Sequence, residues 1–381
     1  MDFENIKKII ESCHLNFLIG SGASRPFLGT LGTIEKLLTD LAKSNISDDN
    51  KIIIDASIKK HYWDVAIKGN LNINDTVDPS LNITKKAYND FYNSLNTILN
   101  KRKTNLISKK ANVFTTNMDL FNEKALEEAG NTYNDGFSGR LNPIFGTENF
   151  NNSITKTSSH FEFQSEIPLF NLFKLHGSVN WLLNSEGKIK YDSNLEILYQ
   201  IDAIKIDKKD LLDIEYKKKI KGEEIWISYT LDELEAQILK NKIAKIKEHD
   251  QFLEAYDKLI MINPTKEKFE TTTRKLIFYE LLRMYSNNLE KENSVLFVFG
   301  FSFADEHIRE ITIRVAKANP TLLIVIFAFN KAAKEDIEKE LTERNNVVYI
   351  YDKDNKINFS LDTINEKYFK KLVEELISTN S

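Results

Sequence analysis

Short, wholly apolar runs alternate along this chain with segments whose apolar residues recur every three to four positions. Leu15-Asn-Phe-Leu-Ile19 reads as a buried strand that runs into Gly20-Ser-Gly-Ala-Ser24. From about Thr33 a helical stripe sets in, with Ile34, Leu37, Leu38 and Leu41 on one face. Residues 45–110 keep a helical period, with Trp63, Val65 and Ile67 on one piece and Tyr88, Phe91, Tyr92 and Leu95 on another. Ala111–Asn117 is the next predicted strand, followed by a helix over Met118–Ala129 that Gly130 closes. Phe170–His176 is a further strand, and between 184 and 290 charge is dense and helical periods dominate. The rhythm then returns, with strands at Ser294–Phe301, Leu322–Phe329 and Val347–Tyr351. Helices are predicted at Asp305–Ala318, Lys331–Arg344 and near Ile364–Ile377.

Apolar strands that do not alternate, separated by amphipathic helices, predict an α/β fold: a Rossmann-like, doubly wound parallel sheet covered on both faces. The expected organisation is a single domain over 1–381. Its core comes from about 1–44, 111–183 and 291–381, with a helical insertion at 45–110 and a charged, mainly helical one at 184–290. The polar motifs fall at predicted strand ends (Gly20–Ser24, Asn117, His176, Ser302, Asn330), the edge at which open parallel sheets bind ligands.

Composition narrows the chemistry. The 52 basic and 56 acidic residues leave a net charge of −4, which excludes global attraction to nucleic acid. Lysines do cluster at 205, 208, 209, 217, 218, 219 and 221. Asp207, Asp210, Asp213 and Glu215 interrupt them, so the stretch reads as a solvated helical face and direct nucleic-acid contact stays open. Cys13 is the only cysteine, so neither an intrachain disulfide nor a four-cysteine zinc module can form. The six histidines show no pairing at ligand spacing, and no metal site is expected. The longest apolar runs, Val295–Phe301 and Leu322–Phe329, fall far short of the ~20 residues of a membrane helix, so a soluble, cytoplasmic protein with no membrane partner is expected.

Gly20-Ser-Gly-Ala-Ser24 is either a phosphate cradle made of backbone N–H groups and a helix N-terminus, or an ordinary tight turn. Asn117 and Asp119 project polar groups from one strand end; capping explains Asp119 but leaves Asn117 unexplained. His176 at a strand end suits a general base, its alternative being a hydrogen-bonded core histidine. The two phenylalanines of Phe301-Ser-Phe303 read as sheet packing rather than adenine stacking.

Taken in order, Gly-Ser-Gly-Ala-Ser (20–24), Thr-Thr-Asn-Met-Asp (115–119), Lys-Leu-His-Gly-Ser (174–178), Gly-Phe-Ser (300–302) and Phe-Asn (329–330) resemble the motifs of sirtuins. The likeness is closer to the SIR2-like proteins of bacterial defence, which carry Lys-Leu-His-Gly-Ser-x-Asn-Trp and Gly-Phe-Ser-Phe-x-Asp as this chain does at 174–181 and 300–305. The resemblance implies NAD as substrate, with Asn117 and His176 catalytic. It implies nucleotide contacts from Gly20, Ser21, Gly22, Ala23, Ser24, Thr116, Asp119, Gly300, Phe301, Ser302 and Asn330. The lone cysteine excludes the zinc module of protein deacylases, and Arg25-Pro-Phe-Leu-Gly29 lacks a clear counterpart of their Pro-Asp-Phe-Arg segment. Those departures point to NAD+ glycohydrolysis, with water as acceptor, in an antiviral, abortive-infection effector. No sensor segment is recognisable, so control is expected from homo-oligomerisation or a partner: a HerA-type hexameric ATPase, with a short Argonaute as the alternative. The competing classes are an NAD-dependent deacylase and a non-catalytic NAD or ADP-ribose module.

Overall fold

The computed structural model describes residues 3–30, 34–102, 107–160, 164–220, 223–261, 272–341 and 344–378. Thr33 and Lys221, named above, lie outside the described residues, as do two positions inside the predicted helix 331–344. Seven strands form one parallel sheet: β1 (His14–Ile19), β2 (Lys110–Thr115), β3 (Tyr133–Asn134), β4 (Leu169–Lys174), β5 (Ser294–Phe299), β6 (Leu323–Phe327) and β7 (Val347–Ile350). Their spatial order is β7-β6-β5-β1-β2-β4-β3. From β1 the chain moves outward through β2 on one side and later resumes at β5 on the other, so the order reverses between β1 and β5. That reversal is a topological switch point, and this is the expected doubly wound α/β fold.

Continuous burial of β4 and β5 follows from coverage on both faces. Phe17 and Phe114 are offset by one register position on neighbouring strands, so their side chains leave on opposite faces. On one face Phe17 meets Phe91 at 5.3 Å and Phe369 at 6.2 Å. On the other Phe114 meets Phe173 at 4.5 Å and Tyr285 at 5.0 Å. Register is pinned by polar residues too. Asn16, Asn112 and Asn171 are level on β1, β2 and β4, with Asn112 Nδ2 donating to Asn16 Oδ1 at 2.9 Å and Asn171 Nδ2 to Asn112 Oδ1 at 3.0 Å.

The chain divides into two compact units, one of 1–27, 75–176 and 276–381, the other of 28–74 and 177–275. The first contains the sheet and also α1 (Pro79–Lys101), although its periodicity alone placed this helix in an insertion. Asp78 caps α1, accepting from Ser80 N at 2.8 Å and Leu81 N at 3.3 Å, with Pro79 at the first turn. Its stripe Leu81, Thr84, Tyr88, Phe91, Tyr92, Leu95 is buried throughout. Three further helices serve the site below: α2 (Phe121–Glu128), α3 (Glu306–Ala318) and α4 (Lys331–Leu341).

The second unit is mainly helical but also carries strands. Helices Asp48–Tyr62, Leu231–Asn241 and Lys247–Tyr256 accompany two hairpins, Trp181–Leu183 with Ile189–Tyr191 and Glu215–Ile220 with Glu223–Ser228. The lysine cluster is therefore corrected. Lys217, Lys218 and Lys219 are exposed on a strand, not a helical face, and Lys217 lies opposite Trp226 with its Nζ 5.3 Å from that ring's centroid. The β-branched and aromatic residues of the return strand, Ile225-Trp-Ile227, favour a pleated partner over a helix.

Candidate active site

Four strands end at one level, because Ile19 is in register with both Phe299 and Thr115, and Thr115 with Lys174. Whatever follows each strand therefore collects at one edge. Gly20 and Gly300 follow β1 and β5 directly, while Asn117 and His176 each lie two residues beyond the Thr115–Lys174 pair.

At the β1–β5 switch the two glycine turns pack backbone on backbone. Gly20 N donates to Phe299 O at 3.1 Å, Gly22 N to Gly300 O at 2.9 Å and Ala23 N to Gly20 O at 3.0 Å. A Cβ on Gly20 would lie 2.3 Å from Gly300 O, and one on Gly300, whose φ is +65°, would lie 2.4 Å from Ala23 N. These glycines thus serve the approach of one turn to the other, and three of the amides expected to cradle phosphate donate inside the protein. No α-helix starts at the loop either: Ser21–Ser24 is a single 3-10 turn, with Ser21 half-buried at its start.

The side chains behind this turn form a closed network. Ser24 Oγ donates to Asp119 Oδ2 at 2.6 Å, which leaves the Tyr88 hydroxyl to donate to Ser24 Oγ at 3.0 Å. Burial, then the nearby Asp119 carboxylate, push the Tyr88 phenol well above its ordinary range, so it keeps the proton it donates. Asn117 Nδ2 faces three acceptors, Gly20 O at 3.1 Å, Ser24 Oγ at 3.1 Å and the Tyr88 oxygen at 3.4 Å. Those acceptors fix which end of the amide is nitrogen. Asn117 Oδ1 is turned the other way, buried, with no partner in the protein. A buried acceptor left unpaired costs about 1–3 kcal/mol. Asn131 and Asn365 also keep unpartnered atoms, but Asn117 holds its own beside the switch-point edge.

Asp119 plays a different part from the one its motif suggested. Phe121 N donates to its Oδ1 at 3.2 Å, so both carboxylate oxygens are engaged within the protein and it anchors Ser24. The helix begins at Phe121, later than predicted, because Asp119 turns the chain at this point. Behind it Lys174, buried at the end of β4, pairs with Glu123 Oε1 at 3.1 Å and donates to the Asp119 carbonyl. Burial pushes the carboxyls of Asp119 and Glu123 upward, with Lys174 opposing in both cases.

His176 is held by Asp305, with Nε2 3.1 Å from Oδ2, and its side chain is 14% exposed. Asp305 also caps α3, accepting from Ile308 N at 3.1 Å. Of the other expected contacts, Thr116 is half-buried after β2 and Phe301 half-buried after β5. Ser302 is exposed, and Phe303 is fully buried with its ring 5.0 Å from that of Phe301, as packing required. Asn330 follows β6 and is occupied as a cap, its Oδ1 accepting from Ala333 N at 2.9 Å at the start of α4.

Two residues of this edge escaped the sequence reading. Tyr88 sits on a helix whose period announced only a buried stripe, and one hydroxyl within a stripe carries no local signal. Asp305 was legible as part of Gly-Phe-Ser-Phe-x-Asp but not as the partner of a histidine 129 positions earlier.

With this geometry in view, comparison with known proteins gives the family. The model of the SIR2-like domain matches residues 111–350, more than half of the chain. The chain belongs to the SIR2-like domain family. One solved structure, described as "Structural Basis for the Mechanism and Regulation of Sir2 Enzymes", aligns over 99% of this chain and 98% of its own, with 11% identity and a TM-score of 0.39. No curated protein matches the chain. The SIR2-like family match begins at Ala111 and so takes in Asn117, His176, Gly300 and Asp305, while Gly20–Ser24 and Tyr88 lie before it.

Proposed function

We propose that this SIR2-like chain is an NAD+ glycohydrolase that cleaves NAD to nicotinamide and ADP-ribose. The observation that carries the reading is Asn117: its nitrogen is fixed by three acceptors, and its carbonyl oxygen is kept buried and unpartnered at the strand edge. Such an oxygen accepts a hydrogen bond from a ribose hydroxyl or from an attacking water. The family supports a nicotinamide dinucleotide as the ligand, and the single cysteine argues against the zinc-bearing deacylases.

Nicotinamide leaves as a neutral molecule when its bond to ribose breaks, so the site's task is to stabilise an oxocarbenium-like sugar and to direct water at it. Asn117 Oδ1 orients that water or the adjoining hydroxyl, and His176 takes the proton the water sheds. Tyr88, Ser24 and Asp119 hold Asn117. The half-buried Ser21 is the part of the glycine turn offered to the pyrophosphate, with Gly300, Phe301 and Ser302 toward the adenosine half. Thr116 and Asn330 flank these contacts.

The biological setting we assign is antiviral defence by abortive infection in the cytoplasm. An NAD hydrolase needs an off state, which makes assembly into a homo-oligomer or with a HerA-type hexameric ATPase the expected control.

Incubation with NAD, with and without an acetyl-lysine peptide, tests the chemistry by nicotinamide release. The expected result is release that ignores the peptide and falls about 10²–10³-fold in Asn117→Ala. Release that requires the peptide would establish the deacylase. Binding without release, in the isolated chain and in the partner complex alike, would establish a non-catalytic module.

A further inference from the structure

The geometry points to Asp305 as the positioning residue that holds His176 in its Nε2–H form, leaving Nδ1 as the atom that takes the proton from water. This rests on the glycohydrolase reading for its chemistry, but not for its tautomer. A carboxylate only accepts, so Asp305 Oδ2 at 3.1 Å favours hydrogen on the ring nitrogen that faces it. In the neutral imidazole the other nitrogen then holds the lone pair, and only that nitrogen can act as a base.

Asp305 is itself held in place three ways. Its Oδ1 accepts from Ile308 N at 3.1 Å, which ties the carboxylate to the first turn of α3 and leaves Oδ2 for the histidine. Two residues earlier, Phe303 is fully buried at φ +61°, a left-handed backbone that a bulky side chain enters only when its surroundings enforce it. Arg309 Nη1 donates to the Phe303 carbonyl at 3.1 Å and pairs with Glu340 at 2.8 Å, clamping that turn from the helix it precedes. The backbone is thus set so that one side chain both caps α3 and reaches the end of β4.

The step balances without any further reactant. The bond between the ribose carbon and the nicotinamide nitrogen breaks, and its electron pair leaves with nicotinamide. The water oxygen bonds to that carbon, one water proton passes to His176 Nδ1, and solvent later receives it.

Asp305→Asn separates the roles, because asparagine caps a helix as well as aspartate does but brings no charge. Its melting temperature is expected to stay near that of the parent. Its kcat is expected to fall about 10–100-fold with KM within a factor of two. Nitrogen-15 spectra of histidine-labelled protein, with His176 assigned by comparison with His176→Asn, read the tautomer directly. The parent is expected to show a protonated Nε2 and an unprotonated Nδ1 in the neutral ring. A parent His176 protonated on Nδ1 instead, or Asp305→Asn at the parental kcat, overturns the assignment. Absence of nicotinamide release from the parent overturns the glycohydrolase reading alone, since the spectrum needs no turnover.

Discussion

Two histidines, one in each unit, show how differently a buried imidazole can be used. His249, in the unit of hairpins and helices, is fully buried. Its Nδ1 accepts from Ile246 N at 3.3 Å, and its Nε2 donates to Asp210 O at 2.9 Å. Both nitrogens are spent on fixed backbone groups. His176, at the sheet edge, commits one nitrogen to a carboxylate and remains partly exposed. The same contrast holds for buried charge. Lys59 sits between Asp55 at 3.0 Å and Asp257 at 3.1 Å, and Lys174 sits against Glu123. Asn117, by contrast, keeps an acceptor without a partner in the protein. A polar group whose bonding is complete supports the fold, and one whose bonding is incomplete at a strand edge is available for chemistry.

The contrast can be broken most severely at Lys174. Lys174→Met leaves Glu123 buried without its counter-charge and is expected to destabilise the chain by about 3–5 kcal/mol, read as a lowered urea midpoint at neutral pH. Burial already holds the carboxyls of Glu123 and Asp119 above their ordinary 4.5 and 3.8. Without Lys174 opposing it, the Glu123 carboxyl rises further in the variant, so the deficit is fully present above the variant's raised range and shrinks as pH falls from there towards the range in which the parent's own carboxyl takes up its proton. A deficit that does not vary with pH would mean that lost packing, not unpaired charge, dominates.

Next in size is the pair of histidine variants. His176→Ala is expected to lower nicotinamide release about 10²–10³-fold, roughly 3–4 kcal/mol, at an unchanged melting temperature. His249→Ala is expected to do the reverse. It strands the Ile246 amide and the Asp210 carbonyl at a cost of about 1–3 kcal/mol, while the folded fraction keeps its turnover. Equal effects of the two on turnover would remove the distinction between a closed and an open imidazole.

The smallest effect, and the sharpest test of the Asn117 network, belongs to Tyr88→Phe. It removes one hydroxyl from Ser24 and Asn117 but keeps the ring stacked on Phe121 at 5.4 Å. A loss of about 1 kcal/mol in stability and up to about tenfold in turnover is expected. Parental values of both would mean that Gly20 O and Ser24 suffice to orient the amide.

Much of the fold was readable because its signals are local. The strands at Leu15–Ile19, Ala111–Asn117, Phe170–His176, Ser294–Phe301, Leu322–Phe329 and Val347–Tyr351 appear within one to two residues of prediction at most ends. Where signals depended on pairing, reading along the chain failed. Tyr133-Asn134 is too short to announce itself as an edge strand, and the lysine stretch became a strand only because Glu223–Ser228 pairs with it. The site divides in the same way. Asn117 and His176 were singled out as polar residues ending apolar runs, whereas the internal use of the Gly20 and Gly22 amides depends on Phe299 and Gly300, far along the chain.

What the sequence by itself determined is the set of apolar strands, their parallel class, and the polar residues that each strand delivers at its C-terminal end, because burial on both faces and the strand-to-helix rhythm are written in neighbouring residues. Only the tertiary structure decided which of those residues meet. Strand order put Gly20 against Gly300, and a helix read as an insertion brought Tyr88 to Asn117. The first turn of another helix brought Asp305 to His176. Hydrogen bonds of 2.9–3.4 Å between residues 29 to 279 positions apart are set by sheet register and helix packing, and no periodicity along the chain encodes them.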